Sequence, residues 1–181
     1  MLGRSVLSTK SGVGLGKEPS MKIGILSDTH LSKPTEELTQ IVQSVFSDVD
    51  LILHAGDLVE LDILTAVGDK EVIAVHGNMD SPECKRALPE WRILDLGGFR
   101  VGLIHGFGAP LGIEKRLLSR FAGEPLNVLV FGHTHHPTNR VADGILLFNP
   151  GAFAGSWTTL GKRSVGLLML EDTPKGNHIS I

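Results

Sequence analysis

The chain has 181 residues, of which 41% are hydrophobic and 20% charged, a balance that suits one packed domain and argues against disorder. Its formal net charge is −3, so general electrostatic attraction to nucleic acid or an anionic membrane is not expected. A single cysteine excludes an internal disulfide framework and a Cys-based zinc cluster, and the absence of tyrosine excludes a phenolic nucleophile or acid. Eight histidines remain as a pool of imidazole ligands. No apolar run reaches the ~18 residues that cross a bilayer, and no signal-type apolar segment is evident, so a soluble cytoplasmic protein is expected.

Residues 1–20 are rich in Gly, Ser and Lys and lack periodicity; they read as an N-terminal extension or leader, with the folded domain over 21–181. Gly12, Gly14, Gly16 and Lys17 fail the spacing of a phosphate loop. KIGILS at 22–27 predicts a buried strand. Leu38, Ile41, Val42 and Val45 predict a helix over 35–46 that starts at Thr35 or Pro34. Strands follow at 51–54 and 72–75, separated by a short helix at 62–67 that ends at Gly68. This β-α-β-α-β alternation predicts a parallel sheet covered by helices. In the second half, 91–96 and 99–104 flank Gly97-Gly98 as a hairpin. Ile113, Leu117, Leu118 and Phe121 predict a helix ending at Gly123. A parallel-type strand follows at 128–131, a second hairpin at 138–141 and 145–148, and a last strand at 164–170. The pattern predicts two mixed sheets packed together with helices outside.

The strand ends carry polar groups that a core would not take: Ser27-Asp28-Thr29-His30, His54-Ala55-Gly56-Asp57, His76-Gly77-Asn78-Met79-Asp80, His105-Gly106 and Gly132-His133-Thr134-His135-His136. Ligand sites in open α/β sheets gather at the carboxyl ends of strands. Carboxylate, amide oxygen and imidazole, without thiolate, suit hard or borderline divalent ions. On an extended segment, the residues of Asp-x-His and His-x-His would point the same way and reach one centre. Each motif alone is common; all of them in this order, each after a strand, are specific.

Asp28-x-His30, Gly56-Asp57, Gly77-Asn78-x-Asp80, His105-Gly106 and Gly132-His133-x-His135 resemble the calcineurin-like metallophosphoesterases, with the closer likeness to their small single-domain phosphodiesterase branch. The Asn149-Pro150-Gly151-Ala152 turn and the strand at 164–168 extend the resemblance over about 21–170. It implies a four-layer α/β/β/α sandwich with a dinuclear metal site. Asp28, His30, Asp57 and His135 would hold one ion, and Asp57, Asn78, His105 and His133 the other, with Asp57 bridging. Asp57, Asn78 and His105 would serve catalysis. The implied cofactors are two divalent ions, Mn²⁺ foremost, with Ni²⁺, Fe²⁺, Co²⁺ or Zn²⁺ as alternatives. The implied reaction is direct attack of metal-bound hydroxide on a small phosphate ester, most naturally a diester. A homodimer or higher homo-oligomer would also fit the branch.

One position departs from the family. Many relatives carry a proton-donating His after the Asn, where this chain has Met79. His54 is read as supporting Asp57 or Asp28, and Asp80 as orienting His105 or His133. His76 is read as structural in preference to a place near substrate, His136 as pointing away and His178 as solvated. Cys84 is read as an incidental thiol in a loop at the site edge. Arg140 and Lys162 are cations available to a substrate anion, without local support. The competing reading is a non-enzymatic scaffold that resembles the retromer subunit of this fold; the intact ligand motifs favour the enzyme.

Overall fold

In the computed structural model, residues 20–156 and 159–181 are described. The leader expected over 1–20, apart from Ser20, therefore lies outside the described residues, as does the glycine-rich stretch within it. The first half runs β1 (Met21–Leu26), α1 (Glu36–Ser44), β2 (Leu51–His54), a 3₁₀ turn (Leu61–Val67), β3 (Val72–Ala74) and α2 (Pro82–Ala87). The second runs β4 (Trp91–Leu96), β5 (Phe99–Ile104), α3 (Ile113–Arg120), β6 (Val128–Val130), β7 (Thr138–Ala142), β8 (Ile145–Asn149), β9 (Ser164–Leu170) and β10 (Lys175–Ser180).

Alternation along each strand decides the layers. Ile23, Ile25, Leu51 and Leu53 face Val101, Leu103, Val128, Val130 and Phe148 in one core between the sheets. The opposite faces of the same strands pack elsewhere: Leu26 and Ile52 meet Leu38, Val42 and Phe46, while Ile104, Leu129 and Leu147 meet Ile113 and Leu117 of α3. One sheet has the order β10-β9-β1-β2-β3, the other β4-β5-β6-β8-β7. Pairing is parallel within β1-β2-β3 and β5-β6-β8 and antiparallel at the flanks, so both sheets are mixed. The result is the expected α/β/β/α sandwich. No helix among the described residues is long and apolar enough to cross a membrane.

Local chemistry sets the helix starts. Thr35 Oγ1 accepts the Leu38 N–H at 3.2 Å, and Glu36 and Glu37 occupy the positive first turn of α1. Ser81 caps α2 in the same way, with Pro82 at its first position. The loop expected around Cys84 is therefore a helix, and the thiol is buried beneath it. The segment at 61–67 is 3₁₀ rather than α. A further strand, β10, follows the one expected to be last. KGNHIS lacks an apolar run, and it pairs at the sheet edge because β9 offers a free ladder. His178 is accordingly not solvated: its ring stacks on Phe148 at 5.0 Å and its Nε2 donates to Asn149 O at 2.8 Å.

Phe46 is fully buried, and a Cβ on Gly24 would come within 2.9 Å of its ring. Phe46→Ala should lower the unfolding free energy by about 3–5 kcal/mol, read from the shift of a urea denaturation curve.

Candidate metal centre

The parallel ladder between β1 and β2 continues beyond the strands. Asp28 N–H donates to Gly56 O (3.0 Å), His30 N–H to Asp57 O (3.1 Å) and Leu31 N–H to Leu58 O (3.2 Å). Two polar segments thus run side by side and bring Asp28 and Asp57 together. Their backbone is not extended as expected. Asp28, His30, Asp57, His133 and His135 all have left-handed φ, between 47° and 69°. The chain curls at each of these five positions, and that curl, rather than strand alternation, makes residues i and i+2 converge. Such non-glycine conformations cost about 1–3 kcal/mol each and persist only where surroundings fix them.

Here the surroundings are hydrogen bonds. Phe153 N–H and Ala154 N–H donate to Ser27 O and Asp28 O, both at 3.0 Å. The buried Asn149 amide donates to Gly132 O (2.8 Å) and Thr134 Oγ1 (3.1 Å), and so holds the His133–His135 turn. The Asn149-Pro150-Gly151 motif was visible in the sequence, but its role in the site was not. Gly132 permits the closest approach: a Cβ there would overlap Ser27 Oγ and lie 2.8 Å from Asp28 Oδ2.

Each central carboxylate has one oxygen tied to its surroundings and one aimed inward. Asp28 Oδ2 accepts from Ser27 Oγ (2.5 Å) and His133 N–H (3.1 Å). Its Oδ1 lies 3.1 Å from His135 Nε2, 3.8 Å from His30 Nε2 and 3.9 Å from His105 Nε2. Asp57 Oδ1 accepts the Met79 N–H at 2.7 Å, while Oδ2 lies 3.1 Å from His105 Nε2 and 4.0 Å from His30 Nε2. His105 donates from Nδ1 to Ala55 O at 2.7 Å, which leaves Nε2 as the free nitrogen. His30 Nε2 and His135 Nε2 face each other at 3.3 Å.

Asn78 and His133 form a second group at the rim, with Asn78 Oδ1 3.0 Å from His133 Nδ1. The structure thus brings together Asp28, His30, Asp57, His105 and His135, with Asn78 and His133 beside them. Contrary to the sequence expectation, Asp80 does not orient His105 or His133. Its carboxylate accepts the N–H groups of Asp57 (3.2 Å), Val59 (2.6 Å) and Gly77 (2.7 Å), which ties the loops after β2 and β3 into one unit. His54 acts on backbone too: Nδ1 accepts the Gly56 N–H at 3.2 Å, and Nε2 faces Thr29 Oγ1 at 3.2 Å. His136 is exposed, and Arg140 is engaged by Glu114.

Charge explains the pKa directions. Burial disfavours an ionised Asp28, but His135, His105 and Ser27 outweigh it and lower its pKa. Burial likewise opposes ionisation of Asp57, and His105 with the Met79 N–H reverses the effect. His105 is raised despite burial, because Asp57 and Asp28 favour its charged form; His135 is raised chiefly by Asp28. Two buried anions thus draw positive charge into one small space.

That space suits metal cations on its own evidence. Asp28 Oδ1 and His105 Nε2 are buried and, despite their 3.1 Å approaches to His135 and Asp57, make no well-formed hydrogen bond among the described residues. Native proteins seldom leave such atoms unpaired. Ligand atoms of Asp28, His30 and His135 lie within 4.8 Å of one another, as do those of Asp28, Asp57 and His105. An N/O donor set of this kind accepts divalent first-row ions.

Residues 21–173 match the calcineurin-like phosphoesterase superfamily domain. A probable metallophosphoesterase of Methanothermobacter thermautotrophicus is 43% identical over 135 residues, 73% of this chain and 77% of that protein. A phosphodiesterase of Methanocaldococcus jannaschii is 30% identical over 178 residues, 89% of this chain and 98% of that one. Wild-type Vps29 of Entamoeba histolytica, solved in complex with Zn²⁺, shares the fold with a TM-score of 0.65 and 23% identity over 88% of this chain and 99% of that chain. The chain belongs to the calcineurin-like phosphoesterase superfamily.

Burial pushes the His54 pKa down to about 4 against the nearby carboxylates of Asp80, Asp28 and Asp57. The unfolded chain binds this proton near 6.5. Stability from neutral His54 is therefore full above about pH 6.5 and is lost as pH falls toward 4, by up to about 3 kcal/mol. His54→Asn keeps an acceptor for the Gly56 N–H. Urea denaturation at about pH 7.5 and 4.5 should show a smaller acid-induced loss for this variant than for wild type.

Proposed function

We propose that this chain is a metal-dependent phosphodiesterase with two divalent ions. Asp28, His30, Asp57 and His135 hold one ion, and Asp57, Asn78, His105 and His133 the other. The observation that carries the reading is the crowding of Asp28 Oδ1 and His105 Nε2, buried atoms without a well-formed hydrogen bond, against Asp57 Oδ2 and the imidazoles of His30 and His135. When bound, such ions acidify water and neutralise phosphate charge. Mn²⁺ is the first choice, with Ni²⁺, Fe²⁺, Co²⁺ and Zn²⁺ as alternatives that the same donors accept.

The protein's own groups supply the rest. Asp57 is oriented by the Met79 N–H, a contact that does not depend on the Met79 side chain. Neutral imidazoles outnumber carboxylates, so the centre keeps positive charge for an anionic ester. Asn78 stands exposed at the rim, where its amide can meet a phosphate oxygen. Beside it a cavity of about 200 Å³, lined by His76, Asn78, Lys85, His105 and Phe107 among others, is sized for one small ester substituent. That His76 lines this cavity supports a place for it near the substrate. The Met79 side chain is 59% exposed and cannot donate a proton to a leaving group. Esters with good leaving groups, aryl diesters first, should therefore turn over best.

Asp57→Asn and His135→Ala should each reduce bound metal, measured by elemental analysis, and bring hydrolysis of a chromogenic diester to background. Wild-type rates in either variant with Mn²⁺ or Ni²⁺ would refute the assignment. No turnover of a diester or a monoester by the wild-type protein with any divalent ion would favour the scaffold reading.

General-acid assistance is worth about 10²–10⁴-fold. Met79→His should recover part of it as faster monoester hydrolysis, with a smaller gain for an aryl diester. Equal rates in both proteins would show that leaving-group protonation is not limiting.

A further inference from the structure

Arg116 in α3 makes an unusual set of contacts. Its guanidinium donates to Phe107 O from Nε (3.3 Å) and Nη2 (3.1 Å), to Leu111 O from Nη1 (2.9 Å), and to Ala109 O from Nη2. One side chain thus gathers three carbonyls of the 107–111 loop. A planar fork of five donors suits this task, and a lysine could not reproduce it. The same loop presents Gly108 O to His133 Nε2 at 2.7 Å. A carbonyl only accepts, so this contact places the His133 proton on Nε2 and leaves Nδ1 with a lone pair. That Nδ1 faces Asn78 Oδ1 at 3.0 Å. Two lone pairs directed at one another are a contact that a cation reconciles.

The packing around the loop supports the link. Gly106, which begins the loop, is wedged between Ile113 of α3 and His133: a Cβ there would lie 3.0 Å from Ile113 Cδ1 and 3.3 Å from His133 Cβ. Gly108 has φ +78°, and a Cβ on it would lie 3.3 Å from Arg116 Nε. The loop is therefore held from α3 on one side and meets the histidine on the other.

We propose that Arg116 is a positioning residue for the metal centre: by gathering the carbonyls of Phe107, Ala109 and Leu111 it fixes Gly108 O against His133 Nε2, and so keeps His133 Nδ1 available to a cation. Its consequence for metal affinity rests on the function proposed above, because it takes His133 as a ligand. The tautomer does not depend on that reading. Partners that orient a ligating histidine typically contribute about 10–100-fold in metal affinity.

The test compares wild type with Arg116→Met and Arg116→Lys, with Arg100→Met as a control, since Arg100 pairs with Glu124 elsewhere. Imidazole ¹⁵N–¹H spectra of the metal-free proteins at about pH 8, where ordinary histidines are neutral, report which nitrogen of His133 carries the proton. Calorimetric titration with Mn²⁺ reports each ion's affinity. Wild type and Arg100→Met should show His133 protonated at Nε2. Arg116→Met should show a mixture of tautomers and about 10–100-fold weaker binding of one ion, the second, assigned to Asp57, Asn78, His105 and His133, with the other little changed. Arg116→Lys should lie between them. An unchanged His133 tautomer in both Arg116 variants would overturn the proposal, whatever the metal data. If wild type binds no second ion, the two-ion function falls, while the tautomer shift still decides the role of Arg116. Should Arg116→Met fail to fold, Arg116→Lys carries the same comparison.

Discussion

Two carboxylates are buried at the centre of this protein, and most of its irregular structure serves to keep them there. Asp28 and Asp57 each place one oxygen against backbone or hydroxyl donors and the other among imidazole nitrogens. An isolated carboxylate in such a place would take up a proton, because burial penalises its charge. The histidines prevent this by supplying compensating charge, and divalent ions would do so more completely. The left-handed backbone at five of these positions follows from the same demand. Each curl aims a side chain inward that a regular strand would send elsewhere.

The cost of those curls is met by groups that stand outside the centre. Asp80 accepts three N–H groups and locks the loops after β2 and β3 together. Asn149 holds the His133–His135 turn, and His54, kept neutral by burial, steadies Gly56. Arg116 does the equivalent for the loop beside His133. The centre is thus built as a set of ligand-bearing turns, each pinned by a polar residue on a different element. Rigid sandwich cores on either side give those turns fixed anchor points.

Function follows from what this arrangement leaves open. Carboxylates are few and imidazoles many, so bound ions would retain the positive charge that an anionic ester needs. The rim at Asn78 and the adjoining small cavity admit a modest substituent. Met79 keeps its backbone contact with Asp57 but offers no proton. Under the proposed function, the geometry of the centre and the protonation of a leaving group are therefore separable.

Much of this was legible in the residues themselves. Alternation in KIGIL and LILH set which side chains meet between the sheets, and the Gly-flanked His, Asp and Asn motifs after the strands singled out the candidate ligands that the fold gathers, because both signals are local. The Ser81-Pro82 cap of α2 was equally local, although its short helix carries too few apolar positions to show periodicity. What the sequence could not carry were partners far apart in the chain. His133 N–H reaches Asp28 across 105 residues, Asp80 serves backbone rather than a histidine, and β10 becomes a strand only because β9 exposes an edge. The eight histidines that first stood out as a ligand pool are sorted by the same contacts. Residue type and spacing determine which groups can bind a metal; only the packed chain decides which nitrogen or oxygen of each is free to do so, because that depends on hydrogen bonds closed by distant segments.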